Sequence, residues 1–413
     1  MSRKRVVITG IGVVAPIGND LATFWNGILE GRNGVGPITH FDPEDYRTRF
    51  AMEVKDFDPS ARIDRKTARL LDRFAQFALF TAGEALEDSG LDPSRNPQRY
   101  GVITGSGIGG IKEMEDQYTL LRDRGPDRVS PFFIPKMITN AAAGQIAIAH
   151  GFKGINYSTV SACASSQHAL GVALDSIRAD RCDAILVGGS EAAITPLSVA
   201  GFCALKAMST RNDEFETAMR PFQASRDGFV MGEGGAMFMF EELEHARRRG
   251  AQIYCEVLGF GATDDAYHIT APDPEAAMAK EAMRQALEDA QRDTSEVNYI
   301  NAHGTSTPLN DVMEQSAVRQ LLGATADSVM MSSTKSQVGH LLGASGAVEL
   351  AATAIGIREG VVPATINQVD PDPECSLDTV PNEPREAQIE VALSNSFGFG
   401  GHDACLCVGR FKD

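Results

Sequence analysis

The chain has 413 residues, 43% hydrophobic and 23% charged, which is typical of an α/β protein with a large core. Its net charge of −17 argues against general binding to nucleic acids or anionic membranes, because both require a basic surface. The seven cysteines are odd in number and include no Cys-x-x-Cys pair, so free thiols are expected instead of disulfides or a zinc site. With no signal peptide and no long apolar run, a cytoplasmic location is the expectation.

The first predicted strand covers residues 6–12 and is followed by a helix at 20–30. The strand ends in Thr-Gly-Ile-Gly, which resembles the start of a dinucleotide-binding turn. The third glycine is missing at the required spacing, and Pro16 and Gly18 break the expected helix, so NAD binding is rejected.

A basic segment follows the loop-rich residues 33–60. Its five positive residues are Arg62, Arg65, Lys66, Arg69 and Arg73. Four of them are spaced by four, three and four residues, which predicts one basic face of a helix. Such a face is either solvated and balanced by Asp64 and Asp72, or a docking surface for an acidic partner.

The remaining pattern alternates strands and helices in two series. Strands are predicted at 100–110, 155–160, 183–189 and 235–241, then at 254–261, 297–302, 329–333, 389–395 and 404–409. Helices are predicted at 74–88, 163–177, 242–250, 275–290, 311–322 and 343–359, with a loop carrying Phe202 and Lys206. A helical excursion at about 109–150 is expected to form a cap or dimer element. Five strands followed by five strands predict two similar halves, residues 1–252 and 253–413.

Cys163 stands between the strand at 155–160 and a helix that is apolar on most faces. Such a helix is buried, so its N-terminus points from the interior towards a pocket. Unpaired N–H groups and the helix dipole there favour a thiolate and could hold an oxyanion. The alternative is that Cys163 is a small buried hydrophobic residue, as most free cysteines are.

Three polar segments in the second half also follow predicted strands. They are residues 301–307 (NAHGTST), 333–347 (STKSQVGHLLGASGA) and 395–401 (NSFGFGG). Strand ends are where α/β folds bind ligands. Each segment alone could be structural, but their joint occurrence with a cysteine beside a helix N-terminus indicates an active site.

With these motifs the chain resembles the elongating β-ketoacyl-acyl-carrier-protein synthases, and among them the synthase II group. The resemblance extends from Val6 to about Val408. It is carried by 161–164 (SACA), 301–307, 335–340 (KSQVGH) with 343–346 (GASG), and 395–401, and by 211–212, 226–228 and 265–270. It implies a thiolase-like, five-layer αβαβα fold in which each half has a five-stranded mixed sheet. It also implies a homodimer that acts with acyl carrier protein.

The resemblance implies a role for each catalytic residue. Cys163 would carry the acyl group as a thioester, and His303 and His340 would promote decarboxylation of the malonyl thioester. Lys335 would orient the histidines, and the backbone N–H groups of Cys163 and Phe399 would form an oxyanion hole. Phe399 would also gate the acyl pocket.

Further residues are implied as binding groups. Thr305, Thr307 and Thr270 would contact the phosphopantetheine arm, and Ile108 and Phe202 would line the acyl pocket. Arg65, Lys66, Arg69 and Lys206 would dock the acidic carrier protein. No metal or organic cofactor does chemistry, although Asn301, Glu349 and Asn395 could hold a monovalent cation. Where many relatives have Thr-Asn after the glycine loop, this chain has His402 and Asp403.

Other functions remain open to different degrees. A degradative thiolase would need a second catalytic cysteine, but Cys405 and Cys407 alternate as core residues of a strand. A starter synthase would have asparagine in place of His340, and a chain-length partner subunit would lack the nucleophile. A Cys–His protease would leave Lys335 and the glycine loop unexplained. A polyketide ketosynthase shares the catalytic residues and is the principal alternative.

Overall fold

The computed structural model describes residues 3–412, in which strands and helices alternate. The strands are β1 (Val6–Val14), β2 (Gly36–Pro37), β3 (Phe50–Ala51), β4 (Tyr100–Gly105), β5 (Asn156–Thr159), β6 (Ala184–Glu191), β7 (Gly234–Glu242), β8 (Cys255–Asp264), β9 (Tyr299–Asn301), β10 (Met330–Ser332), β11 (Val361–Val362), β12 (Arg385–Glu386), β13 (Val391–Gly398) and β14 (His402–Gly409). The α-helices are α1 (Leu21–Leu29), α2 (Arg65–Arg69), α3 (Arg73–Ser89), α4 (Ile111–Arg124), α5 (Phe133–Met137), α6 (Ala141–His150), α7 (Ser165–Arg178), α8 (Pro196–Ala204), α9 (Leu243–Arg248), α10 (Ala277–Ala290), α11 (Pro308–Leu322), α12 (Lys335–Val338) and α13 (Ser345–Glu359). In the same range, no helix is both long and apolar enough to cross a membrane.

Two halves of the chain repeat one strand order. Across the described residues the main sheet runs β10-β9-β13-β14-β8-β1-β7-β6-β4-β5. Numbered within its own half, each set of five strands is arranged 3-2-4-5-1, so the predicted similarity of the halves is confirmed. Their first strands pair antiparallel, with Val6 opposite Val257 and Ile8 opposite Cys255. This edge-to-edge junction, which makes one ten-stranded sheet, was not predicted.

Helices form the layers on either side of the strands. α7 and α13 contact each other and contact strands from both halves, so they lie between the two sets of strands. α3 covers β1 and β7 on the outside of the first half, and α10 covers β8 and β14 on the outside of the second. The order helix, sheet, helix, sheet, helix agrees with the predicted five layers.

Two glycines permit the close approaches that place α7. A Cβ atom added at Gly171 would lie 2.4 Å from the Phe260 ring of β8. One added at Gly105, where β4 ends, would lie 2.4 Å from the backbone of Ser165 and Ser166. Both distances are shorter than van der Waals contact, so only glycine at these positions lets α7 approach β4 and β8 this closely.

The prediction of one basic helix at residues 62–73 was wrong. Asp64 and Asp72 each cap a new helix, so the chain breaks between α2 and α3. Arg62 pairs with Glu87 outside α2. Arg73 begins α3 and donates to the buried Glu233 carboxylate at 2.7 Å. Arg65, Lys66 and Arg69 remain as an exposed basic group on α2, whereas the exposed Arg62 lies outside this helix.

The loop predicted around Phe202 was also wrong in part. Phe202 lies on α8, which begins with a Thr195 cap and Pro196 at its first position. Lys206 follows this helix in a left-handed conformation with a φ of 56°. The short strand pairs β2–β3 and β11–β12 were not predicted, because two-residue strands carry no periodic signal.

Candidate active site

Cys163 lies in a tight turn that hydroxyl side chains hold in place. β5 ends at Thr159 and α7 begins at Ser165, two residues later than predicted. The Ser165 hydroxyl donates to the Ala162 carbonyl at 2.7 Å and accepts from the Ser161 N–H at 2.9 Å. Ala162 has a φ of 49°, a strained conformation for a residue with a side chain. The turn therefore presents Cys163 at the N-terminal end of the central helix.

Two histidines from the second half meet this cysteine. Nε2 of His340 lies 3.1 Å from Sγ of Cys163, which is hydrogen-bonding distance. The rings of His303 and His340 are nearly perpendicular, with centroids 5.4 Å apart. Nδ1 of His340 lies 2.9 Å from the Ser345 hydroxyl, which can either donate or accept. The structure thus brings the three predicted catalytic residues together.

Lys335 lies behind the histidines with no exposure to solvent. It forms a buried ion pair with Glu349, and its Nζ lies 3.4 Å from Nδ1 of His303. An ammonium group can only donate, so Nδ1 of His303 must be the acceptor. The proton of the neutral imidazole is then on Nε2, which is the nitrogen left free to donate to a ligand.

Burial sets the protonation states of the site. It lowers the pKa of both His303 and His340 well below the ordinary value, and the Lys335 charge lowers them further. Both rings are therefore neutral at physiological pH. Burial also raises the pKa of Cys163 to about 12, although Lys335 and the Phe399 N–H, which donates to the sulfur, oppose this.

The free thiol corrects an expectation from the sequence. A helix N-terminus was expected to favour the thiolate, but burial raises the pKa of the thiol by more than the Lys335 charge and the Phe399 N–H lower it. Cys163 therefore rests as a thiol whose S–H can donate to Nε2 of His340. Activation then requires transfer of that proton to the histidine.

A cavity of about 350 Å³ opens beside the cysteine. Its lining includes Cys163, His303, His340, Phe399, Phe202, Thr270, Thr305, Thr307 and Lys206. Most of the predicted substrate-binding residues therefore share one cavity. The hydroxyls of Thr305 and Thr307 lie 3.0 Å apart, so the two can serve one polar ligand.

Ile108 is the exception among these residues. It is not part of the cavity lining and lies on an exposed turn, where its backbone N–H donates to Glu191 at 3.2 Å. Its predicted place in the acyl pocket is not seen in the single chain.

Two buried glutamates support the site and were missed from the sequence. Glu191 accepts from the Ser106 hydroxyl and from the backbone N–H groups of Gly107 and Gly343, at 2.9, 2.6 and 3.0 Å. Glu314 accepts from the backbone N–H of His303 at 2.8 Å. A charged residue at the end of an otherwise apolar strand was the available signal for Glu191; Glu314 lies within a helix and gave none.

The three residues named as possible cation ligands present unsatisfied oxygens. Oδ1 of Asn301, Oε2 of Glu349 and Oδ1 of Asn395 are buried and have no hydrogen-bond donor among the described residues. Hard cations bind carboxylate and amide oxygens, so each residue offers a suitable ligand atom, and the cation site stays a prediction.

The sequence matches two family models that together span most of the chain. The model described as the N-terminal domain of β-ketoacyl synthase matches residues 3–246, and the C-terminal domain model matches residues 254–369. A curated 3-oxoacyl-[acyl-carrier-protein] synthase 2 from Synechocystis is 51% identical over 413 residues, covering 100% of this chain and 99% of the relative.

Solved structures agree with this match. The ishigamide ketosynthase/chain length factor superposes with a TM-score of 0.93 at 34% identity, with both chains covered completely. A type II polyketide ketosynthase, solved with its acyl-carrier protein and bound to the hexaketide, gives 0.91 at 35% identity, again over 100% of both chains. These neighbours share the thiolase-like arrangement described above.

Proposed function

The chain belongs to the β-ketoacyl synthase family, and from its site we infer that Cys163 carries the acyl chain in a decarboxylative Claisen condensation. The protein is a condensing acyltransferase of fatty-acid elongation, as its 51% identical relative is a 3-oxoacyl-[acyl-carrier-protein] synthase 2. The contact of 3.1 Å between Sγ of Cys163 and Nε2 of His340 carries the mechanism most directly.

The first half-reaction loads the cysteine. The thiol proton of Cys163 passes to Nε2 of His340 as the sulfur attacks the thioester carbonyl of acyl carrier protein. Backbone N–H groups of Cys163 and Phe399 hold the oxyanion, since the Phe399 N–H already points at the sulfur. The carbon–sulfur bond to the carrier breaks, and the carrier thiol takes the proton back from His340.

The second half-reaction begins when the malonyl group loses its carboxylate as carbon dioxide. The malonyl thioester oxygen accepts from Nε2–H of His303, the tautomer that Lys335 enforces. After loading, the neutral His340 ring changes tautomer by proton exchange with solvent: Nδ1 releases its proton, Nε2 takes one up, and the Ser345 hydroxyl turns to donate to Nδ1. These two donors stabilise the enolate that forms as carbon dioxide leaves.

Condensation uses the same cysteine and the same oxyanion-hole donors as the loading step. The enolate carbon attacks the Cys163 thioester, and the tetrahedral oxyanion again lies at the two backbone N–H groups. As the intermediate collapses, the bond between sulfur and the acyl carbon breaks. The product is a 3-oxoacyl thioester two carbons longer on the carrier, and Cys163 leaves as a thiolate that takes up one proton from solvent.

Residues 398–401, which we name the gate loop, line the same cavity as Cys163 and contact its sulfur through the Phe399 N–H. Phe399 projects from this loop towards Phe202, with ring centroids 6.5 Å apart. A gating role for Phe399 follows if these rings separate when an acyl chain enters between them. Thr305, Thr307 and Thr270 line the cavity, which supports their proposed contacts with the phosphopantetheine arm.

Acyl carrier protein is the partner that delivers both substrates. A related ketosynthase has been solved in complex with its carrier protein. Lys206 lines the cavity mouth, while Arg65, Lys66 and Arg69 are exposed on α2. Because carrier proteins of this family are acidic, these four residues form the proposed docking surface.

A homodimer is the proposed assembly. β5 is an edge strand of the ten-stranded sheet, and its outer N–H and C=O groups could pair with a second copy. The neighbouring helices α4–α6 and β5 with its following residue expose Tyr118, Leu121, Phe132, Ile134, Ile148, Tyr157 and Val160. Pairing along β5 would cover these exposed apolar side chains.

We propose a binding site for a monovalent cation, and we assign the cation no step of the reaction. Asn301, Glu349 and Asn395 would hold it, and its charge would add to that of Lys335 beside the buried Glu349. The absence of an organic cofactor and the cytoplasmic location stay predictions.

Acylation of the cysteine tests this proposal. Incubation with palmitoyl-carrier protein should add one acyl mass to the intact protein, and Cys163→Ala should take up none. Acylation of Cys163 by ketide thioesters only would favour a role in polyketide synthesis. If no carrier thioester acylates Cys163, the proposed mechanism fails.

A further inference from the structure

Four carboxyl groups gather beside the cavity and take no part in the steps above. Asp403 stands at the start of β14, and Asp264, Asp265 and Asp273 come from the end of β8 and the loop after it. Asp403 and Asp265 both line the cavity together with Phe399. Asp403 is only 2% exposed, so its carboxyl group needs a partner within the protein.

The partner of Asp403 is another carboxyl group. Its Oδ2 is buried without an N–H or O–H donor among the described residues, and the group within hydrogen-bonding reach is the Asp265 carboxyl. Two ionised carboxylates repel each other, whereas a carboxyl and a carboxylate share one proton in a strong hydrogen bond. Oδ2 of Asp265 already accepts from the Asp273 backbone N–H at 3.1 Å, which suits the ionised member of such a pair.

The same region joins the gate loop to the loop after β8. The Asp265 N–H donates to the Gly401 carbonyl at 2.9 Å, and the Gly400 N–H donates to the Ile269 carbonyl at 2.9 Å. Gly401 has a φ of 82°, and a Cβ added there would lie 2.9 Å from Cβ of Asp265. The two loops are therefore in direct contact, and the carboxyl pair is the side-chain part of that contact.

We propose that Asp403 and Asp265 share one proton, and that this carboxyl–carboxylate hydrogen bond holds the gate loop closed over Cys163. The inference rests on the proposed function, in which the gate loop supplies an oxyanion-hole donor. Loss of the proton leaves two facing carboxylates, whose repulsion separates the loops. Asp403 is thus a positioning residue that acts through the gate loop.

The surrounding charges determine when the proton is lost. Burial first, and then the charges of Asp265, Asp264 and Asp273, raise the pKa of Asp403 to about 9. On the same strand, Nδ1 of His402 lies 3.6 Å from Oδ2 of Asp264. The residue opposite Asp403 on β13 is the apolar Phe397. The pair therefore keeps its proton at neutral pH and loses it as pH rises through about 9.

Amide hydrogen exchange at the gate loop tests the proposal. Protection of the Gly400 and Gly401 amides, corrected for intrinsic exchange, should fall about tenfold in the native protein between about pH 8 and pH 10. In Asp403→Asn it should stay constant, because the side-chain amide donates to Asp265 at every pH. Equal loss of protection in both proteins, or no loss in the native protein, overturns the proposal.

A second variant and a second readout guard against misfolding. Asp265→Asn removes the other charge and should abolish the pH response in the same way. The native fold binds a proton that the unfolded chain releases between about pH 4 and pH 9, so native stability falls over that range. The Tm advantage of Asp403→Asn should therefore widen from pH 5 to pH 9 and then level off.

A Tm difference that does not change with pH also overturns the proposal. Neither measurement uses turnover, so a failure here leaves the condensation chemistry intact. Equally, a failure of Cys163 acylation would leave the exchange result standing.

Discussion

Nζ of Lys335 lies 3.4 Å from Nδ1 of His303, and this contact determines which nitrogen of the imidazole carries its proton. The same ammonium is paired with the buried Glu349 carboxylate, which holds it in place. A lysine that never touches substrate thereby prepares His303 as a hydrogen-bond donor for the malonyl thioester.

Replacement of Lys335 should separate the two half-reactions. Lys335→Met should lower malonyl decarboxylation by about 10²–10³-fold, because His303 can then adopt the wrong tautomer. Acylation of Cys163 should persist, since it depends on His340. Release of labelled carbon dioxide and intact mass measure the two steps.

A control for this variant must account for the Glu349 carboxylate, which loses its ion-pair partner. Lys335→Met alone leaves Glu349 buried and unpaired, which costs about 3–5 kcal/mol of stability. The double variant with Glu349→Gln removes that charge and should restore folding without restoring decarboxylation. Normal decarboxylation in the double variant would contradict the role of Lys335.

The reactivity of Cys163 should depend on pH as a buried thiol does. With a pKa raised to about 12, the thiolate is scarce at neutral pH, and the alkylation rate should rise by nearly tenfold per pH unit up to about pH 9.5. Iodoacetamide labelling followed by mass spectrometry measures the rate, with Cys163→Ser giving the background from the other buried cysteines. A plateau near pH 7 would show that the site holds a preformed thiolate.

Charge reversal on α2 should weaken carrier-protein docking. Lys66→Glu with Arg69→Glu should raise KM for acyl-carrier protein several-fold at low salt, while kcat with a small acyl-pantetheine thioester stays unchanged. Arg62→Glu is the control, because Arg62 lies outside α2 and is already paired with Glu87. An equal effect of both changes would remove α2 from the docking surface.

Gly171 should be far less tolerant of a side chain than another helical glycine. Gly171→Ala places a Cβ 2.4 Å from the Phe260 ring and should cost about 1–3 kcal/mol in urea unfolding. Gly201→Ala meets nothing within 4 Å and should stabilise by about 0.5–1 kcal/mol. Phe260→Leu should recover part of the Gly171→Ala loss. Similar costs at both glycines would contradict the packing of α7 between the halves.

The sequence predicted the elements that depend on local pattern. All ten strands of the main sheet gave periodic or apolar runs, and the segments carrying Cys163, His303 and His340 stood out at strand ends. The junction of β1 with β8 could not be predicted, because pairing between distant strand edges leaves no mark on local periodicity. The single basic helix failed because capping by Asp64 and Asp72 outweighed the spacing of the arginines.

Protonation states could not be predicted from the sequence for a related reason. The free Cys163 thiol and the neutral histidines result from burial, which depends on the packing of both halves around the site. The Asp403–Asp265 pair likewise required the contact between the gate loop and the loop after β8. In the sequence, Asp403 stood out only because many relatives have asparagine at this position.

One complete condensation in a defined mixture tests the proposed role of Cys163 directly. Acyl-Cys163 enzyme, freed of excess acyl donor, is mixed with malonyl-carrier protein, and the carrier product is weighed. The expected products are a 3-oxoacyl-carrier protein two carbons longer than the loaded chain, one carbon dioxide per product, and deacylated Cys163. Carbon dioxide release with the acyl group still on Cys163, or product formed by Cys163→Ala, would contradict this role.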